Sequence, residues 1–495
     1  DRVFGRMSQF TVDEFYDPDK LAILRQASAA RTGPLLLIGW GAALAAPSAD
    51  VLVLADIARW EIQLRQRAGQ ANWRCDNGGV DQLRKYKRSF FVEWRAADRH
   101  KRTLFDRVDF VLDASRTANN ATALHGADFR TALDATTRRP FRVVPYFDPG
   151  VWGGEWMQAT FDLPPREGNY AWSFDCVPEE NSLLFVDDGG RCIELPAMDL
   201  VLHAPRQLLG ERTYARFGAE FPIRFDLLDT MAGEHLSLQV HPLSDYMQQV
   251  FGMPYTQDES YYMLDVGDDA IVYLGLRDGI DPAAMLDALS EAQSGGAPFP
   301  AAEFVGAFPA RKHDHFAIPA GTVHSAASGS MVLEISATPY IFTFKLWDWG
   351  RLGLDGVPRP IHLEHGAANI QWDRDATWTE RNLVGQVEVL RDEPGHREER
   401  TGLHELEFIE VRRHWFDRPI TLDTRGTVNV LNLVEGASAT LKSVTGAFEP
   451  FQVHYAESFI VPAAVGAYEL HPDRVSAQCG VVVASVRGTE AAPAR

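Results

Sequence analysis

The stretch LSLQVHPLSDYMQQVFGMPYTQDESYY, residues 236–262, sets an amide, an imidazole and a carboxylate into a segment that is otherwise mostly apolar and aromatic. Gln239 and His241 are two residues apart, so on an extended backbone their side chains look to the same side, while Leu236, Leu238 and Val240 fall on the other. The apolar set predicts a strand pinned to its neighbours through that face. If the opposite face lines the inside of a barrel, an amide and an imidazole there are costly to bury without a partner. A metal ion is one partner that would satisfy both.

A second segment, DHFAIPAGTVHSA at residues 314–326, completes a donor set. Pro319 and Gly321 predict a turn between strands, because one fixes φ and the other tolerates backbone that other residues avoid, and His324 then enters the next strand. Together with Glu259, the two histidines and Gln239 offer two nitrogens, a carboxylate and an amide oxygen, which suits Zn²⁺ or another first-row divalent ion. An uncharged amide leaves such an ion with about one unit of positive charge, the condition of a useful Lewis acid. His313 and His315 also share a face, but Arg311, Lys312 and Asp314 around them favour the surface. Asp245, Asp258 and Asp265 are expected at turns or strand ends, solvated.

A chain of 495 residues is too long for one core and predicts two to four domains. Its 48 Lys and Arg against 68 Asp and Glu leave a formal charge of −20, which argues against a nucleic-acid partner and requires a locally basic pocket for any anionic substrate. No stretch approaches the roughly 18 consecutive apolar residues of a membrane span. The four cysteines form no CxxC pair, as expected of a reduced, cytoplasmic protein rather than of a zinc ribbon or a disulfide framework. The chain opens at Asp1 rather than at methionine, and no signal peptide is expected within it. Monomer and dimer are equally compatible with this composition.

The texture changes near residue 140. Before it, PLLLIGWGAAL and DVLVLADIARWEIQLRQR read as strand, glycine turn, helix, strand and helix, and SFFVEW and RVDFVLDA as two further strands. Gly39 and Gly41 are not followed by a phosphate loop ending in GK[ST], so they read as a tight turn rather than a nucleotide site. From Phe141 onward, short apolar runs are separated by Gly, Pro and Asp, the pattern of a sandwich or barrel. A helix is expected at DPAAMLDALSEAQ, capped by Asp281 with Pro282 in its first turn. The charged run from Arg374 through RDEPGHREERTG reads as a surface connection. Beyond it, IVPAAVGAYEL echoes AIPAGTVHSAAS with a tyrosine where the histidine stood, which predicts a second barrel without metal. The expected domains are 1–140, 141–372 and 373–495.

Four motifs in order, LSLQVHP, DESYYMLD with YLGLRDG, AIPAGTVHS and LWDWGRLGLDGVPRPIHLEH, resemble those of the cupin-type class I mannose-6-phosphate isomerases, over residues 141–488. The resemblance implies a multidomain chain in which two cupin (jelly-roll β-barrel) domains with a few helices follow the N-terminal α/β domain. That first domain resembles the extra domain of longer members, a degenerate nucleoside-kinase-like fold. It also implies a single Zn²⁺ held by Gln239, His241, Glu259 and His324, and interconversion of mannose 6-phosphate and fructose 6-phosphate through a cis-enediol. Family members commonly carry a lysine two positions before the ligand glutamate, where this chain has Gln257, and an arginine where it has Lys345. Lys345 is therefore the candidate for proton transfer or for holding the enediolate, since lysine becomes a base more readily than arginine, and Arg351 the candidate for charge stabilisation or phosphate contact. Lys312 or Arg359 is expected to bind the phosphate. Alternative readings are an isomerase of another sugar or sugar derivative and a non-catalytic sugar-binding regulator. A non-haem Fe(II) oxygenase is the third, against which Gln239 argues by filling a position that oxygen chemistry needs open.

Overall fold

The computed structural model describes residues 6–339, 342–401, 407–474 and 477–488 of the chain. Gly402 and residues 489–495, which the expected surface connection and second barrel include, lie outside the described residues. Two compact units form: Asp1–Thr136 together with Pro178–Pro205, and Thr137–Val177 together with Arg206–Arg495.

In the first unit, Val53–Asp56 and Phe110–Asp113 pair in parallel and Ala123–His125 joins Phe110–Asp113 antiparallel. The segment expected as the strand PLLLIGW is unpaired instead, with Leu36 and Ile38 at 80% and 86% exposure, and Gly41 at φ +71° leads into the short helix Ala42–Ala45. SFFVEW is not a strand either. It is a helical segment, Ser89–Glu93, between the helices Gln82–Arg88 and Trp94–Arg102, because charged helix formers on both sides carry helical phase through it and bury Phe90, Phe91 and Trp94.

Residues 178–205 fall inside the expected barrel of 141–372 but are part of the first unit. Their hairpin, Ser182–Val186 with Cys192–Pro196, and the helix Met198–His203 supply polar partners that the first unit needs. Arg59 donates to the Glu179 carbonyl at 2.7 Å and pairs with Asp98 at 2.5 Å, while Lys101 lies 2.9 Å from Asp56 and 2.5 Å from Asp199. All of these charges are buried, and buried charges persist only when paired. No local pattern in the sequence announces such a long-range pairing.

The second unit contains two antiparallel sandwiches. In the first, the sheet ordered His315–Ile318, Asp258–Val266, Ser330–Ala337, Ile223–Asp229, Trp172–Cys176, Tyr146–Asp148 faces a sheet ordered Val305–Pro309, Ile271–Leu276, His324–Ala326, Leu238–Val240, Phe344–Trp347. Tyr261, Met263, Leu274, Phe316, Ile318 and Val332 fill the space between them. Leu238 and Val240 turn to the outer face and are fully buried, and Gly366 of the helix Leu363–Ala367 comes against Val240 and Leu346. Burying each of these side chains stabilises the strand by roughly 1.5–3 kcal/mol. The helix Pro282–Gln293 begins as expected, with Asp281 accepting from the amide of Ala283 at 3.0 Å.

The second sandwich sets Val387–Glu393, His396–Thr401, Ile409–Phe416, Cys479–Val486, Asn429–Glu435, Ser458–Val461 against Ile420–Asp423, Ala467–Pro472, Ser438–Ser443, Phe451–His454. Tyr468 lies in its core, fully buried. The charged run expected as a connection is ordered as the helix Ala376–Asn382 and the hairpin Val387–Glu393 with His396–Thr401. Cross-strand ion pairs such as Arg400–Glu388 at 2.7 Å, absorb its charge, which is why a polar stretch builds an edge hairpin here. Among the described residues, no helix is long and apolar enough to cross a membrane.

Candidate metal centre

Strand register assembles the candidate site. Gln239 stands opposite His324 on one neighbouring strand and opposite Lys345 on the other. Residues directly opposed in an antiparallel pair share a face, so Lys345, Gln239 and His324 form one row looking into the sandwich. Ser237 and His241 flank Gln239 on the same face by alternation. From the facing sheet, Gln257, Glu259 and Tyr261 look inward in the same manner, with Glu259 opposite Ser336 and Tyr261 opposite Glu334.

The turn before His324 is built as expected. Gly321, at φ +87°, donates its amide to the His241 carbonyl at 2.9 Å, and a Cβ there would come 2.6 Å from Gln371 Cγ. The turn thereby ties the two histidine-bearing segments together.

His241 Nε2 and His324 Nε2 each lie 3.0 Å from an oxygen of Glu259, and the Gln239 amide is 3.1 Å from His324 Nε2. His241 Nδ1 donates to the Phe342 carbonyl and His324 Nδ1 to the Thr322 carbonyl, both at 2.8 Å, which fixes each ring with its Nε2 lone pair turned to the shared centre. A half-turn of the Gln239 amide presents its oxygen to the same point. His241 Nε2 and Glu259 Oε1 are fully buried and have no hydrogen-bond partner among the described residues. Buried polar atoms are normally satisfied, so this convergence of nitrogens and a carboxylate fits a divalent cation. Among the described residues, His241, Glu259 and His324 form one group whose potential ligand atoms all lie within 4.8 Å of one another. Burial works against ionising Glu259, but the imidazoles, His241 foremost, overcome it and hold the carboxyl well below its usual range. Burial likewise disfavours protonated His241, and the charge of Glu259 more than reverses this.

The remaining candidates are distributed unevenly. Lys345 is half-buried in the row with Gln239. Arg359 reaches the Ser237 hydroxyl at 3.2 Å and Asp348 at 3.0 Å, and Arg351 pairs with Asp348 at 2.9 Å and Glu234 at 3.2 Å. Ser237 is two residues from Gln239, so Arg359 sits about 7 Å along the strand from that side chain. Lys312 is elsewhere: it pairs with Glu435 at 2.7 Å and lies over the Tyr455 ring at 5.4 Å. The neighbouring His313 amide bonds Met263, four positions and about 13 Å along the strand from Glu259. His315 is buried rather than at the surface, with neither ring nitrogen hydrogen-bonded among the described residues, because its strand pairs with Tyr262 on the covered outer face. Asp258 accepts from the Ala320 amide at 2.7 Å and Asp265 from Trp156 at 2.8 Å, so neither is merely solvated.

The sequence marks Gln257 only as the position of a family lysine, and neither its partners nor Glu334 were legible there. Gln257 donates to Glu259 Oε2 at 2.9 Å, and Glu334, one strand further, is pushed well above the usual carboxyl range by burial and then by Glu259 and Asp226. Period-2 alternation through Gln257, Glu259 and Tyr261 was the signal available for the first; nothing local marks Glu334.

A family model described as a domain of unknown function (DUF8485) matches residues 1–138. Mannose-6-phosphate isomerase ManA of Bacillus subtilis is 25% identical over 229 residues, 46% of this chain and 67% of that protein. The mannose-6-phosphate isomerase of Streptococcus mutans is 24% identical over 216 residues, 43% of this chain and 62% of that one. The matches thus span about two thirds of the relatives' length. Among solved structures, the mannose 6-phosphate isomerase of Bacillus subtilis aligns with a TM-score of 0.55 at 17% identity, covering 70% of this chain and 99% of that one. A zinc-bound mannose 6-phosphate isomerase aligns at 0.51 and 14% identity, covering 69% and 98%. These likenesses establish the cupin fold of the region they cover. In sequence over somewhat less than half of its length, and in fold over more than two thirds, the chain is similar to the class I, cupin-type mannose-6-phosphate isomerases.

Proposed function

We propose that the protein is a zinc-dependent aldose–ketose isomerase that interconverts mannose 6-phosphate and fructose 6-phosphate, with Gln239, His241, Glu259 and His324 holding the ion. The observation that carries this reading is the buried convergence of two imidazoles, one carboxylate and one amide, with His241 Nε2 and Glu259 Oε1 unsatisfied, in a chain similar to enzymes of that name. The donor set supplies one negative charge, so a divalent ion bound there keeps Lewis acidity for the enediolate that develops when a proton leaves C2.

The chain's own residues supply the rest. Lys345 is assigned to carry the proton between C2 and C1, a reading supported by its register opposite Gln239. Arg359 and Arg351, both anchored on Asp348 beside Ser237, offer a cationic surface for the phosphate. Asp348 fixes the geometry of both guanidinium groups, and Glu234, itself largely exposed, pairs with Arg351 as well. Lys312 has no part in this scheme, being committed to Glu435. The first unit is read as an appended α/β domain outside the chemistry.

The test is isomerase activity of metal-quantified protein on mannose 6-phosphate, with a chelated sample and His324→Ala as controls. Turnover that vanishes on chelation, returns with zinc and is lost in the variant is the expected result. A folded, zinc-loaded protein that leaves mannose 6-phosphate untouched refutes the substrate assignment and directs attention to other sugars.

A further inference from the structure

Gln257 occupies an unusual place in this site. It is 3% exposed and uses its amide in both directions. Its NH₂ group donates to Glu259 Oε2 at 2.9 Å, and lies 3.2 Å from the Ser336 hydroxyl and 3.3 Å from Glu334 Oε1. Its carbonyl oxygen accepts from the amide of Phe342 at 2.9 Å, and the carbonyl of that same Phe342 accepts from His241 Nδ1 at 2.8 Å. One side chain therefore reaches two candidate ligands, Glu259 directly and His241 through a single residue of backbone.

We infer that Gln257 is the positioning residue of the metal centre, orienting the Glu259 carboxylate and the His241 ring for a divalent cation rather than contacting substrate. Three physical points support the assignment. Glu259 can rotate about its terminal bond, and a donor on Oε2 holds the carboxylate with Oε2 toward His241 and Oε1, which has no hydrogen-bond partner among the described residues, toward His324. The Gln257 carbonyl holds the amide of Phe342, the same residue whose carbonyl accepts from His241 Nδ1, so the imidazole acceptor is tied to the Gln257 side chain. A neutral amide also does this without adding negative charge beside Glu259 and Glu334, where a carboxylate would repel. Partners of this kind commonly contribute tenfold to a hundredfold in metal affinity.

The inference rests on the four side chains forming a metal site, and its test reads the metal rather than turnover. Zinc affinity is measured by competition with a chromophoric chelator for the full-length protein, Gln257→Met and Gln257→Lys, and the visible spectrum of the cobalt-substituted forms is recorded alongside. Methionine keeps the volume and loses both hydrogen bonds, so zinc affinity is expected to fall tenfold to a hundredfold and the cobalt bands to shift. Lysine retains a donor toward Glu259 but no acceptor for Phe342, so a smaller loss is expected, and it serves where Gln257→Met fails to fold. Zinc affinity within twofold of the parent, with unchanged cobalt bands, in whichever of the two variants folds, overturns the inference while leaving the isomerase reading standing. A parent protein that binds zinc but does not isomerise mannose 6-phosphate refutes that reading and leaves the role of Gln257 intact.

Discussion

Replacing Glu259 by glutamine tests the centre most directly, because it is nearly isosteric and removes the one negative charge of the donor set. The carboxylate lies 3.0 Å from both imidazole nitrogens, so a cation at the shared centre is within about 3 Å of it. At that separation and an effective dielectric constant of about 20, each unit of charge on the ion is worth about 5.5 kcal/mol against the carboxylate, and the amide oxygen of glutamine returns part of this. Zinc affinity in Glu259→Gln should therefore fall about a thousandfold or more, as measured by chelator competition on folded protein. A second readout follows from the metal-free form. Against the opposing effect of burial, Glu259 is what raises His241, so the His241 imidazole should titrate at lower pH in the variant, as followed by NMR. Retention of zinc affinity within tenfold, or an unmoved His241, would refute the placement of the ion between these groups.

Lys345→Met should lower kcat by about a hundredfold to ten-thousandfold with zinc content unchanged, the size expected when a proton-transfer group is removed; equal loss of bound zinc would assign Lys345 to the metal instead. Arg359→Ala should raise KM for the sugar phosphate about tenfold or more through loss of a charge-assisted contact, whereas Lys312→Ala should leave both kinetic constants within twofold, since that side chain is spent on Glu435. Acid stability should carry the signature of His315, which burial first, and then the charge of Arg413, hold down to about 3. Because its ordinary value is about 6.5, the unfolded chain binds the extra proton between those limits, so stability is full above about 6.5 and falls as pH drops toward 3, by up to about 1.4 kcal/mol per pH unit. Asp175, pushed up to about 7 by burial, acts in the opposite direction, so the informative quantity is the difference in urea midpoints between His315→Gln and the parent across pH 4–7. A flat difference would mean that His315 is not held neutral in the fold.

Wherever side-chain period or turn chemistry alone determines the outcome, the sequence was readable. The alternation of Leu238 and Val240 against Gln239 and His241, the Pro319–Gly321 turn into His324, and the capped helix Pro282–Gln293 all follow from nearest neighbours along the chain. The row of Lys345, Gln239 and His324 does not, because those residues come from three strands and only register aligns them. SFFVEW misled because its apolar run fits a strand as well as a helix, and the flanking helices decide between them. Residues 178–205 group with the first unit rather than with the expected barrel because what holds them, the Lys101–Asp199 ion pair and the bond from Arg59 to the Glu179 carbonyl, joins residues far apart in the sequence. Lys312, His315 and Gln257 show the same limit at single residues. A lysine looks available, a histidine between charged neighbours looks exposed and a glutamine looks inert until the strands opposite them are known, since burial and partnership are properties of the packed chain and not of local spacing.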